Sequence, residues 1–323
     1  MTRRRQFVNA VAVSLLTGPG ALRAQVPGRV YRLGILRPTG KAPLEVNVPN
    51  ALRELGYVEG QNLVIDRRYA EGHLERLPAF AREQVAAKSD AIVAVGASAA
   101  RAAMTATSSI PIVLFGNFDP VALGLVKSLG RPGGNVTGVL IAPDGTLAGK
   151  KLELLREVVP RATRIGMLSP DDPAMRQQVA EVQRVAVALG LTVTPVEVSN
   201  GDYERAFTAL AAERVQALFV AASTYFVRDR KEIIERAARF RLPAIYEWRE
   251  HVEDGGLMTY ATSLPALHKR IAEYVDRILE GAKPGEMPIE QPSKFDLVIN
   301  LKTAKALGLA LPPSLLLRAE VIE

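Results

Sequence analysis

Short apolar runs rich in β-branched residues alternate along this chain with longer segments in which apolar positions recur every three to four residues. Runs of the first kind occupy 31–36, 63–67, 91–95, 112–115 and 136–140, and read as the strands of a parallel sheet. Between them, 74–88 places Leu74, Leu77, Phe80, Ala81, Val85 and Ala86 on one face of a helix. The rhythm restarts after Gly149: helices are expected at 151–158, 175–189, 203–212 and 228–240, and strands at 164–168, 192–198, 217–220 and 244–246. Alternation of this kind builds parallel sheets with helices on both faces, so the fold class is α/β, with two doubly wound parallel-sheet lobes.

The tail complicates a plain tandem arrangement. A strand is expected at 257–261, a helix at 267–280 and a further strand at 295–300 before a helical turn at 301–307. A single crossing would make this tail extend the second unit, whereas a return crossing completes the first and creates a hinge of several strands. Several connections let two lobes close as near-rigid bodies, which favours recrossing. The expected division is 29–141 plus 258–295 for the first lobe and 142–257 plus 296–323 for the second. The Gly- and Pro-rich stretch 131–138, followed by Ala142-Pro143-Asp144-Gly145, marks the first crossing.

The first 24 residues break the rhythm. Arg3-Arg4-Arg5, a short apolar stretch over 8–16 and a break over 19–24 have the order of an export signal, with the mature chain starting near Gln25. Arg4-Arg5-Gln6-Phe7-Val8 carries the paired arginines of a twin-arginine leader, the general secretory route being the alternative. The apolar stretch falls short of the ~20 residues that a spanning helix needs. Loss of this leader removes four arginines and no acid, so the formal charge drops from +7 to +3. No basic stripe with interleaved aromatics remains to suggest nucleic acid. The chain has no cysteine, which excludes disulfides, thiolate metal sites, cysteine nucleophiles and a lipidated cysteine tether. The expected product is periplasmic and not lipidated.

In open α/β sheets, ligands sit beyond the carboxyl ends of the strands, where helix N-termini present unpaired N–H groups. Gly96-Ala97-Ser98-Ala99-Ala100 follows the 91–95 strand, so Ser98 is a candidate for holding a carboxylate, its alternative role being a helix cap. Gly116-Asn117-Phe118-Asp119-Pro120 follows the 112–115 strand. There Asn117 and Asp119 suit an amino group and Phe118 an apolar side chain, although Asp119 before Pro120 also reads as an N-cap. In the second unit the equivalent positions supply Ser169, Tyr225, Glu247 and Trp248, with Tyr260 on the hinge strand. Tyr225, Trp248 and Tyr260 are candidate walls for an aromatic or apolar ligand.

Enzymatic alternatives fit less well. Ser98, Asp254 and His268 follow the Ser, Asp, His order of α/β-hydrolases, but the second glycine of the nucleophile elbow is missing and His268 falls within a helical pattern. No G-x-G-x-x-G opens the first helix, and Gly145-Thr146-Leu147-Ala148-Gly149-Lys150-Lys151 lacks P-loop spacing, so no cofactor is expected. His73, His251 and His268 lack metal-ligand spacing and read as surface residues. A transcription regulator would need a helix-turn-helix where the leader stands, and a receptor ectodomain would need a spanning helix or docking partner.

Long ordered motifs run through the mature chain. They are Leu52-Arg53-Glu54-Leu55-Gly56-Tyr57-Val58-Glu59-Gly60-Gln61-Asn62, Ile110-Pro111-Ile112-Val113 leading to Asp119-Pro120-Val121-Ala122-Leu123-Gly124-Leu125-Val126, Arg131-Pro132-Gly133-Gly134-Asn135-Val136-Thr137-Gly138, and Val298-Ile299-Asn300-Leu301-Lys302-Thr303-Ala304-Lys305-Ala306-Leu307-Gly308. In these the chain resembles the ABC-transporter substrate-binding protein family that includes tryptophan- and tyrosine-binding members. The resemblance implies a type I periplasmic-binding-protein fold that holds a small molecule between two lobes and delivers it to an inner-membrane ABC permease. The expectation is a monomeric, non-catalytic receptor for an amino acid. Its side chain stays open among aromatic, branched and small organic-anion options, and a ligand sensor that hands over to a receptor is the alternative role.

Overall fold

The computed structural model describes residues 28–40, 44–141, 146–172, 175–199 and 201–323; the expected leader and the 142–145 crossing lie outside them. Five parallel strands form the first sheet: β1 (Tyr31–Arg37), β2 (Leu63–Tyr69), β3 (Ala91–Val95), β4 (Ile112–Gly116) and β5 (Val136–Leu140), in the order β2-β1-β3-β4-β5. Helices α1 (Leu44–Glu54), α2 (Leu77–Ala86) and α3 (Ala97–Ala106) cover it, together with a late helix introduced below.

The continuous apolar strands are explained by burial on both faces. Leu33, Ile35, Val93, Val113 and Phe115 belong to one apolar cluster with α1, while Leu36, Ile92, Ala94, Ile112 and Leu114 belong to another with α2 and α3. Neighbouring residues on one strand thus serve opposite cores, as the two-residue period of a strand requires.

The second sheet holds β6 (Arg164–Pro170), β7 (Thr192–Val198), β8 (Ala217–Val220), β9 (Ala244–Tyr246), β10 (Met258–Ala261), β11 (Asp296–Asn300) and β12 (Ala319–Ile322), ordered β12-β11-β10-β9-β8-β6-β7. Around it lie α4 (Thr146–Val158), α5 (Arg176–Ala188), α6 (Tyr203–Ala212), α7 (Thr224–Arg228), α8 (Arg230–Arg239) and α9 (Arg249–Glu253). The single helix expected over 228–240 is divided at Asp229, whose carboxylate accepts from the Tyr203 hydroxyl at 2.7 Å and from the Arg228 side chain at 2.5 and 2.7 Å.

The tail recrosses. From β10 the chain enters α10 (Leu264–Leu279), whose Ile271, Ala272, Tyr274 and Val275 join the α1 side of the first core. Ser263 caps it, accepting from the Ala266 N–H at 3.3 Å. The segment beyond α10 then pairs along β5, with Leu140 N–H donating to Glu290 O at 2.8 Å and Glu290 N–H to Gly138 O at 3.0 Å. It also presses on the earlier Gly133-Gly134 turn, where a Cβ at Gly285 would stand 2.6 Å from Gly134 O. The chain returns to the second sheet as β11 and finishes through α11 (Leu301–Ala306), α12 (Pro313–Leu316) and β12. Because β10 leaves the sheet toward the first lobe and β11 re-enters from it, these two strands are antiparallel while the other pairs are parallel. Met258–Ala261, expected in the first lobe, therefore pairs in the second sheet, and the crossing falls at 262–263 instead of 258. None of the described helices is long and apolar enough to cross a membrane.

Candidate functional site

The carboxyl ends of β1, β3 and β4 face those of β6, β8 and β9 across a cleft of about 820 Å³, mouth included. Arg37, Gly96, Phe115, Asn117, Phe118 and His268 line it from the first lobe, and Asp172, Ser223, Tyr225, Val227 and Trp248 from the second. The lobes are closed on this cleft. Val227 and Trp248 pack in the same apolar cluster as Leu44, Phe115 and Leu264, and Ser98 Oγ in α3 donates to the Asp172 carboxylate beyond β6 at 3.1 and 3.3 Å.

Of the residues expected from sequence, Asn117, Phe118, Tyr225 and Trp248 lie on the cleft wall. Gly116, at φ +149°, makes room for the Phe118 ring, since a Cβ there would come 3.0 Å from Cε1. Tyr225 starts its helix under the Ser223 cap, and burial, with the charge of Asp172 adding to it, pushes its hydroxyl up to about 12.

The other five stand elsewhere. Ser98 bridges the lobes at the rim rather than offering a free hydroxyl inward. Asp119 Oδ1 accepts from the N–H groups of Val121 at 2.8 Å and Ala122 at 3.0 Å, so it is a cap. Ser169 is buried, its Oγ on Pro170 O at 3.3 Å. Glu247 turns into the core and pairs with the buried Lys151, whose ammonium also sits 5.9 Å from the Phe219 ring centroid. Burial raises the Glu247 carboxyl pKa and Lys151 opposes the shift. Tyr260 stacks on Phe295 at 5.7 Å and lines a separate hollow with Lys150, Asp296 and Arg318.

The histidines correct the sequence reading. His73 is exposed, but His251 and His268 are buried. His251 stacks on Tyr246 at 5.2 Å, and burial lowers its pKa to about 4. His268 Nδ1 meets Asn47 Nδ2 at 3.0 Å, and its ring stands edge-on to Phe115 at 5.4 Å. Burial, assisted by the charge of Arg37, lowers the His268 pKa to about 3. The hydrolase order does not assemble: Ser98 bonds Asp172, His268 bonds Asn47, and Asp254 pairs with Arg230 at 2.6 Å. Among the described residues no group of three His, Asp or Glu is arranged to hold a metal.

Arg37 was missed. It ends β1 on the cleft wall, is 1% exposed, and donates from Nη2 to Thr39 Oγ1 at 3.0 Å. A cation closing the strand at its carboxyl end, after Leu33-Gly34-Ile35-Leu36, was the available signal.

Comparison with known proteins agrees with this geometry. The model of the family described as ABC transporter substrate binding protein matches residues 45–322. A tyrosine-binding protein of Clostridioides difficile (strain R20291) is 29% identical over 261 residues, covering 80% of this chain and 74% of that one. A Streptococcus pneumonia ABC domain solved in complex with L-Trp superposes with a TM-score of 0.81 at 27% identity, covering 91% of this chain and 100% of its own. The ligand-free, open structure of a Clostridium difficile substrate-binding protein with adhesive properties gives 0.62 at 26% identity, covering 91% and 99%. At nearly equal identity and coverage, the arrangement here is nearer to the ligand-bound structure than to the open one.

Proposed function

The chain belongs to the ABC transporter substrate-binding proteins, and on that premise we propose that it is an exported, monomeric receptor that closes on a free aromatic amino acid and presents it to an inner-membrane permease. The observation that carries this reading is the closed cleft walled by Phe115, Phe118, Tyr225 and Trp248, with polar groups at few points. Aromatic walls bury a flat apolar side chain well, and edge or offset contacts add about 0.5–1.5 kcal/mol per ring pair. The tyrosine-binding relative and the tryptophan-bound neighbour support the same ligand class. Contacts from both lobes exist together only in the closed state, so ligand shifts the open–closed equilibrium by its differential affinity. The ligand is released unchanged, and the mature chain starts near Gln25, exported by the twin-arginine route.

Titration calorimetry with L-tryptophan, L-tyrosine and L-leucine tests the ligand class, with mass spectrometry of the recovered ligand and small-angle scattering of free and bound protein. One aromatic amino acid per chain, at ~micromolar affinity and with compaction, is expected. Preference for leucine would overturn the aromatic assignment, and chemical turnover would overturn the receptor. N-terminal sequencing of exported protein, with and without the twin-arginine machinery, checks the leader and its route.

A further inference from the structure

His268 offers the cleft a hydrogen-bond donor. The Asn47 amide donates to Nδ1, so the single proton of the neutral ring is on Nε2. Among the described residues Nε2 meets no protein acceptor, and it is not one of the polar atoms sealed in the core. The residue lines the cleft while being 2% exposed, so this N–H opens onto the ligand space. A ligand that fills the cleft takes water away from this donor, and leaving it without an acceptor is costly, which makes a ligand oxygen its natural partner. Arg37 lines the same wall, close enough for its charge to act on the His268 ring. Across the cleft the second lobe brings the Asp172 carboxylate, which accepts the Ser98 hydroxyl and lines the site beside Tyr225. The walls are thus of opposite polarity.

We propose that this polarity orients the ligand, with the His268 Nε2–H, beside Arg37, receiving the carboxylate of an amino acid on the first lobe, and Asp172 receiving its ammonium group on the second. This rests on the aromatic amino-acid reading and adds to it which lobe reads which end. It also moves the anion site from Ser98, whose hydroxyl is directed to Asp172, to His268. A zwitterion then ties the lobes together through its two charges, whereas a compound lacking either one is held by one lobe.

The test is a calorimetric matrix of L-tryptophan, tryptamine and indole-3-propionate against the wild type, His268→Leu, His268→Gln and Asp172→Asn. Wild type is expected to bind L-tryptophan at least tenfold more tightly than either truncated compound. His268→Leu should weaken L-tryptophan and indole-3-propionate about 10- to 100-fold, as for a lost hydrogen bond to a charged group, and leave tryptamine unchanged. His268→Gln retains a donor and should recover most of that loss. Asp172→Asn should show the crossed pattern, weakening L-tryptophan and tryptamine but not indole-3-propionate. Thermal melts accompany each variant, and if His268→Leu fails to fold, His268→Phe, which keeps a ring but lacks the donor, and Asp172→Asn decide by the same crossing. Parallel weakening of all three compounds would reduce His268 to a support for Asn47 and overturn the proposal. Equal wild-type affinity for all three would overturn the polarity and leave the aromatic-ligand reading standing. Wild type binding none of them would overturn that reading and this inference together.

Discussion

Arg37 in the first lobe and Lys151 in the second are each 1% exposed, yet only Arg37 lies on the cleft wall. Lys151 sits behind the other wall, neutralised by Glu247, the residue that precedes the wall residue Trp248. The first lobe therefore carries a cation to the ligand space, while the second keeps its cation in the core. Two doubly wound units of similar construction can assign the same residue type to recognition in one and to internal support in the other. The difference is one of position: Arg37 stands at the carboxyl end of β1 on the cleft wall, whereas Lys151 stands within α4 against Glu247. The second wall is left free to be aromatic and, through Asp172, acidic.

The sharpest way to break this contrast is to remove the internal partner. Lys151→Met leaves the Glu247 carboxylate buried and uncompensated, and is expected to cost about 3–5 kcal/mol in denaturant unfolding. Adding Glu247→Leu should restore most of that loss, since an apolar pair avoids the desolvation of both charges. If Lys151→Met unfolds like the wild type, the pair does not support the second wall.

Acid probes both lobes, because each buries a neutral histidine: His268 in the first and His251 in the second. Their folded pKa values, about 3 and about 4, lie below the unfolded value of about 6.5. Below that value the unfolded chain binds more protons than the native one, so stability falls with pH from about 6.5 toward 4 for His251 and toward 3 for His268. Between pH 7 and pH 5 each histidine should remove about 2 kcal/mol. Glu247 and Glu250, whose pKa values are raised by burial, act in the opposite direction, so the comparison of wild type with His251→Gln isolates the effect. Urea titrations at both pH values should show a shallower acid loss in the variant; an identical loss would mean that His251 takes up its proton without unfolding.

The smallest expected effect concerns the contact between lobes. Ser98→Ala removes the hydroxyl that meets Asp172 and should loosen ligand binding about fivefold, roughly 1 kcal/mol, with little change in the unfolding midpoint. Tyr260→Leu, on the far hollow, should leave affinity unchanged. An equal loss in both variants would show that hinge packing, rather than the bridge, governs closure.

Much of the fold was legible because strands buried on both faces are continuous apolar runs, and β3, β5, β8 and β9 keep the ends read from the chain, as does the edge strand β7, whose residues are a mixture of buried and exposed. Helix α1 was not read, with Pro49 inside it, nor was the four-residue β12. The sheet that claims β10 is a non-local matter, settled by pairing with β11 after an excursion through α10. In the site, Asn117, Phe118, Tyr225 and Trp248 were legible because strand ends place them there. Glu247 was misread because neighbouring residues beyond β9 serve opposite purposes, one in the core with a partner 96 residues away and one on the wall. His268 was misread because its polar environment comes from Asn47, at the other end of the chain.

The recrossing of the tail governs the order in which this protein can fold. Until α10 has been synthesised, the face of the first sheet that Ile271, Ala272 and Tyr274 cover stays open, and the second sheet lacks β11 and β12 until the last residues are made. Neither lobe is a contiguous piece of the chain, so a nascent fragment ending near residue 260 carries two unfinished cores. Closing such long chain separations is slow, and the interval before completion is one in which two unfinished apolar faces stand open to a chaperone or to aggregation.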